Sequence, residues 1–308
     1  MKNIYTLLFY IFTLSFHVAY LNGVEKGHFF FSQEMIFSYI KNYSAEERKE
    51  ILKDFEAVKK RCTPLHEITP LQNPLYLATA GIPGTKKSTI LESFMKRYVL
   101  DSNITYLDPD QRGLKFMSST YYGKSLSTLS LSQRENYLKT IQNAYEKWRD
   151  ASNYITFLLL ENAFQKRQNI AHGTTSTAEY VPALFSKLKK SGYEIILLLC
   201  SCKPHLREDA IEYRNHTQQF YQLSPEDASL KKSLFPKRMK DYLRYADSLY
   251  LYWSNSLFEK EQLTAKLSKG KIKIYDLSSY NNFTQQFDAD KEKEDPSWNE
   301  LLKIYQEI

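Results

Sequence analysis

Glycine is scarce in this chain. There are 9 in 308 residues, where an average composition of about 7% would supply about 20. Clustering among so few therefore carries weight, and two of them, Gly81 and Gly84, lie three residues apart. Cysteine is scarcer still. Cys62, Cys200 and Cys202 make an odd count that offers no disulfide framework. The chain has no C-x-x-C and no H-E-x-x-H, which removes the usual metal signatures. Cys200 and Cys202 alternate within an apolar run, as residues on one side of a buried strand do. Also missing is any dense Lys/Arg run of the kind found in a nucleic-acid arm. The net charge of +7 is spread along the chain and interleaved with acids, which reads as a mixed solvated surface. A kinase of polynucleotide ends would suit a basic chain, but no groove of interleaved Arg and aromatics can be traced, so nucleic acid is not an expected partner.

Hydrophobic residues make up 43% and charged residues 25%, ordinary values for a chain with a real core. Residues 4–21 form an apolar run after a single basic residue, Lys2. It reads as a secretory signal, with residues 1–23 removed, or as an uncleaved membrane anchor. A buried N-terminal helix is the bland alternative. Residues 31–62 read as helical, with a capping box formed by Ser44 and Glu47. Pro64, Pro70 and Pro74 then break the chain, so residues 24–71 read as a helical preface and linker.

From Leu75 the pattern alternates. Strands are expected at 75–80, 104–107, 169–173, 193–202, 248–253 and 271–276. Helices are expected at 88–99, 132–168 (as one or two), 178–190, 204–222 and 236–247. The run 193–202 is apolar on both faces, as an internal parallel strand should be. Strand–helix alternation predicts an α/β protein, a mostly parallel central sheet covered by helices on both sides. The expected domain covers 72–277, and 278–308 reads as a helical, charged tail.

Three polar clusters follow three of these strands, where open α/β sheets bind ligands. T-A-G-I-P-G-T-K-K-S-T (79–89) nearly completes the phosphate-loop pattern G-x-x-x-x-G-K-[ST]. Such a loop presents backbone N–H groups and a helix N-terminus to an anion. Gly81, Gly84, Lys86, Lys87, Ser88 and Thr89 form the expected cradle for ATP, with Ser88 the magnesium ligand. The pattern's second glycine is Lys86. If a positive φ is needed there, a Cβ costs about 1 kcal/mol, and the Lys86 charge could offset that by meeting phosphate. The other clusters are D-P-D (108–110) and H-G-T-T (172–175). Each has an ordinary reading too: Asp108 and Asp110 as turn acids beside proline, Thr174 and Thr175 as helix caps.

The order and spacing of A-G-I-P-G-T-K-K-S-T, I-T-Y-L-D-P-D-Q-R, N-I-A-H-G-T-T-S-T, G-Y-E-I-I-L-L-L-C-S-C-K-P and A-I-E-Y-R-N resemble the zeta toxin family of P-loop kinases over about residues 72–255. The resemblance implies a three-layer P-loop fold and transfer of the ATP γ-phosphate to a hydroxyl of a UDP-sugar or similar metabolite. It implies Lys87 and Ser88 at ATP and magnesium, and Asp110 as catalytic base. Arg214 would stand beside the transferring phosphate, and Asp108, His172 and Thr174 on the substrate side, Asp108 also helping at the magnesium. A second phosphate-binding cation has no clear match; Lys232 and Arg238 are the nearest. The chain departs from the family pattern at Lys86, at His172 and Thr156 in place of glutamates, and at Ser176 in place of arginine. A nucleotide-binding module that has lost its chemistry is therefore the alternative. The resemblance also leaves an antitoxin or host partner open. Export would carry the chain away from ATP, so the N-terminal reading and the kinase reading meet only if it acts inside its own or a target cell.

Overall fold

The computed structural model describes residues 31–64, 69–98, 103–126, 134–217 and 225–307. The apolar run at 4–21 and the end of the helix expected to reach 222 lie outside these residues. Among the described residues no helix is long and apolar enough to cross a membrane.

Seven strands form one sheet: β1 (Leu75–Ala80), β2 (Ile104–Leu107), β3 (Asn169–His172), β4 (Glu194–Cys202), β5 (Ser248–Ser254), β6 (Gln262–Ser268) and β7 (Lys271–Ile274). Their order is β2-β3-β1-β4-β5-β6-β7. The first five are parallel, and β6 and β7 add an antiparallel edge. The register sets Leu77 beside Ala171 and Ile196, at the middle of the sheet. Along β4 the side chains divide by parity. Leu197 and Leu199 enter the larger core, whereas Leu198 and Cys200 enter the smaller one.

Five helices alternate with the parallel strands or precede them: α1 (Gln33–Ser38), α2 (Ala45–Cys62), α3 (Lys87–Arg97), α4 (Arg134–Gln165) and α5 (Val181–Lys190). Helices α6 (Pro204–Thr217), α7 (Pro225–Lys237), α8 (Met239–Tyr245), α9 (Leu277–Asp290) and α10 (Trp298–Glu307) complete the described set. Helix α3 covers one face of the sheet through Ile90, Leu91, Phe94 and Met95. The opposite face is packed by α2, α4, α5, α8, α9 and α10.

The expected helix 31–62 is two helices, and the second begins with the Ser44–Glu47 capping box. These helices enter the main core. Phe31, Ile36, Ile40, Ile51, Phe55, Val58 and Cys62 are all buried in it. Asp54 of α2 is fully buried, and accepts the amides of Ser119 and Thr120 at 2.6 and 3.0 Å. Strand β6 was not legible as a strand, nor α7 as a helix. Residues 132–168 resolve into the single long α4 among the described residues.

The charged stretch 288–295 is not all solvated. Asp290 at the end of α9 is buried and takes two hydrogen bonds from Arg207 of α6, at 2.9 and 3.2 Å. The two side chains are only 2% and 6% exposed. Removing one partner of a buried ion pair strands the other charge, at a cost of about 3–5 kcal/mol. Asp290→Ala should therefore lower unfolding free energy by about that amount. Urea denaturation followed by far-UV circular dichroism measures it.

Candidate active site

The loop between β1 and α3 turns on left-handed backbone. Gly84 has φ +85° and Lys86 φ +57°. The space is as restrictive as the dihedrals. A Cβ on Gly84 would lie 2.5 Å from the Arg207 carbonyl oxygen, and one on Gly81 2.4 Å from that of Cys200. Gly81 also donates its amide to the Thr175 carbonyl at 3.2 Å, joining the first cluster to the third.

Lys86 occupies the conformation that the missing glycine would have supplied. Its ammonium does not face the loop interior. Lys86 Nζ donates to the Glu259 carbonyl at 2.7 Å and lies 3.7 Å from the Glu261 carboxylate. The side chains of Lys86 and Glu261 are 11% and 7% exposed, so this contact offsets part of the strain of a non-glycine residue there, about 1–2 kcal/mol. The Lys86 charge thus has partners in the β5–β6 loop, while its side chain also lies in the wall of the cavity at the strand ends.

Lys87 Nζ donates to the Ile82 carbonyl at 2.8 Å, inside the loop. Burial lowers its pKa to about 8, and the nearby charges of Arg214 and Lys231 add to the shift, opposed by Asp108. Ser88 donates to Asp108 Oδ2 at 3.1 Å. Asp108 is buried at the end of β2, and its Oδ1 accepts the amides of Asp110 and Gln111 at 2.9 Å each. Burial, then the neighbouring Asp110, pushes the Asp108 pKa up to about 6 against those hydrogen bonds. Gly173 is what lets β3 end against this acid, since a Cβ there would meet Asp108 Oδ2 at 2.4 Å.

A cavity of about 260 Å³ lies at these strand ends. Lys86, Lys87, Ser88, Asp108, Asp110, His172, Thr174 and Arg214 line it, together with Gly84. Gly81 and Thr89 are not in its wall; Gly81 acts through its backbone, and Thr89 is exposed. Lys232 and Arg238 are not in it either. Lys232 lies 3.5 Å from Asp290, and Arg238 donates to the Thr177 carbonyl. The further cations that do line the cavity are Arg149 and Lys231. Arg149 lies 3.0 Å from Asp110 Oδ1 and donates to the Tyr145 hydroxyl at 2.9 Å. Tyr145, Arg149 and Asn153 recur every four residues on α4, which is the sequence signal that could have found them. Tyr39, from α1's end, reaches the same cavity and had no such signal.

The third cluster is fastened to β1. The Thr79 hydroxyl donates to the Thr174 carbonyl and accepts the Thr174 amide, at 2.7 and 3.0 Å. Ser176 (φ +54°) donates to the Thr79 carbonyl at 2.7 Å. Helix α5 is preceded by Tyr180 without a side-chain cap, so neither Thr174 nor Thr175 caps it. His172 is buried and shares a 2.8 Å hydrogen bond between Nδ1 and the Tyr76 hydroxyl. Burial lowers its pKa to about 4, so it is neutral at pH 7.

Among the described residues no group of three or more His, Cys, Asp or Glu could hold a metal. The Ser88 hydroxyl and the Asp108 carboxylate nevertheless offer two hard oxygen donors side by side. Magnesium at phosphate sites asks for few protein oxygens, since phosphates and waters fill its remaining positions.

No family model matches the chain, and no curated protein matches it in sequence. Solved structures do match. The complex of AvrRxo1-ORF1 with AvrRxo1-ORF2 containing sulphate ions aligns with TM-score 0.57 at 11% identity, over 92% of this chain and 96% of the other. The same pair with ATP aligns with TM-score 0.55 at 11% identity, over 86% and 91%. The PezAT toxin–antitoxin system of Streptococcus pneumoniae aligns with TM-score 0.51 at 14% identity, over 87% and 97%. At such identities the likeness is one of fold. The chain shares the fold of these structures, a mostly parallel sheet covered by helices on both faces, as the strand–helix alternation predicted.

The His172 pKa gives a pH signature. A histidine held below its ordinary value of 6.5 stabilises the fold above that pH and loses the contribution as pH falls toward about 4. The full loss is about 3 kcal/mol. Asp108, whose carboxyl is held up at about 6, has the opposite slope over the same window, so the acid limb is read as a difference. In unfolding free energies measured from pH 7 to 4, His172→Gln should gain relative to the parent.

Proposed function

We propose that the chain is an ATP-dependent kinase of zeta-toxin type. It transfers the γ-phosphate to a hydroxyl of a small nucleotide-activated sugar or similar metabolite. The observation that carries this reading is the convergence of Lys87, Ser88, Asp108, Asp110 and Arg214 on one cavity, from the segments after β1 and β2, which flank β3, and from α6. The ATP held by an AvrRxo1 complex of the same fold supports it.

Lys87 exchanges the Ile82 carbonyl for the outer phosphates. Arg214, whose charge is disfavoured by burial and favoured by Asp108 and Asp110, gains a partner when a phosphate enters. Ser88 and Asp108 would hold magnesium, which when bound neutralises phosphate charge. Asp110 accepts the acceptor hydroxyl proton. The freed oxygen forms its bond to the γ-phosphorus as the bond to the β-phosphate oxygen breaks. Arg149 orients Asp110 through the 3.0 Å contact. With His172 neutral and Thr156 at the cavity wall, the acceptor side lacks the family's two glutamates. The acceptor is therefore one that needs no carboxylate partners at those positions. The AvrRxo1 and PezAT chains are solved with partner proteins, and an inhibiting partner of this kind belongs to the same proposal.

A second reading is favoured by that same Arg149–Asp110 pair. An Asp110 oxygen already occupied by the Arg149 guanidinium is not offered to an acceptor hydroxyl, which suits a module that binds ATP without turnover. Radiolabelled ATP with UDP-sugars and other nucleotides as acceptors separates the two. Transfer that falls by about 10²-fold or more in both Lys87→Ala and Asp110→Asn supports the kinase. ATP binding without transfer supports the module, and transfer unchanged in both variants contradicts the proposed site.

A further inference from the structure

We propose that Phe258, with Tyr213 at its edge, is the platform on which the base of the bound nucleotide stacks. This rests on the nucleotide reading above and extends it from the phosphates to the base.

The loop 255–261 joins β5 to β6 and is braced from within. Trp253 Nε1 donates to Asn255 Oδ1 at 2.7 Å, and the Phe258 amide donates to Ser256 Oγ at 3.2 Å. It is also tied to the phosphate loop. Lys86 holds the carbonyl of Glu259, the residue after Phe258, and faces the carboxylate of Glu261. The substitution that breaks the phosphate-loop pattern is thus the one that fastens this segment beside the phosphate site.

At the held segment stands a bare ring. Phe258 is 79% exposed, and Tyr213 of α6 is 49% exposed. The rings meet edge to face, 5.7 Å apart at 88°, which leaves most of the Phe258 surface in water. Tyr213 immediately precedes Arg214, which lines the phosphate cavity. Platform and cavity are therefore linked twice: Lys86 lines the cavity and holds the segment that carries Phe258, and Tyr213 adjoins Arg214 in the chain. A braced segment that presents an aromatic ring to water contributes nothing to the core. It does suit a base, whose flat face stacks on an aromatic ring irrespective of sequence. Stacking of this kind separates nucleotides from bare phosphate chains more than it separates one base from another.

The test compares ATP with inorganic tripolyphosphate by calorimetric titration of the full chain in magnesium. Phe258→Ala should weaken ATP by about tenfold and leave tripolyphosphate within about twofold. Because the ring is exposed, the variant should unfold at the same temperature as the parent. Lys86→Gly, which releases the loop while restoring the glycine, should weaken ATP relative to tripolyphosphate in the same direction. The platform is overturned if Phe258→Ala leaves ATP affinity unchanged, or weakens both compounds equally. Parent protein that binds neither compound overturns the nucleotide reading itself.

Discussion

The turn from Gly81 to Lys86 has no spare volume, and the site is arranged around that constraint. It is wedged between the Cys200 carbonyl at the end of β4 and the Arg207 carbonyl at the start of α6. The wedge aims α3, so that Lys87 and Ser88 arrive at the ends of the parallel strands. It also fixes where α6 can begin, and with it the reach of Arg214. Arg207 in turn is clamped by Asp290 at the end of α9. The close approach of the β1–α3 turn to the Arg207 backbone thus extends through a buried ion pair to the C-terminal helices.

Lys86 shows how a local rule can be broken and compensated. Left-handed backbone favours glycine because of sterics at Cβ, and the chain keeps the conformation without the residue. The long side chain closes a bond to another loop that glycine could not make. A pattern search scores this as a failed phosphate loop, while the geometry retains the turn and adds a strap between two segments of the fold. The same trade recurs at Ser176, which holds a positive φ and anchors itself to the Thr79 carbonyl.

What the sequence made legible was local. The capping box at Ser44 and Glu47, the doubly apolar β4, and the three polar clusters at strand ends are all written within a dozen residues or fewer. Long-range features were not legible. Arg149 lies nearly forty residues from Asp110 in the chain, and only the packing of α4 against the turn after β2 brings them together. Asp290 sits in a stretch whose composition reads as solvated surface, yet it is buried by its arginine. The β6–β7 hairpin was missed in part because its strands mix lysines with apolar residues, as an edge that resists further pairing does. Its turn, Lys269-Gly270 with both φ positive, is the conformation that two-residue hairpins favour, and that signal was there to be read. Of the cavity wall, the residues of the three clusters were legible from their motifs, whereas Tyr39, Tyr145 and Arg149 come from helices outside any motif.

The central claim is that the loop binds phosphate through Lys87 while Lys86 remains a strap. A crystal structure with magnesium and a non-hydrolysable ATP analogue tests it most directly. The outer phosphates should lie against Lys87 Nζ, with the Ile82 carbonyl released and Lys86 still on the Glu259 carbonyl. Phosphates held by Lys86, with its bond to Glu259 broken, or an analogue bound away from this cavity, would contradict the account.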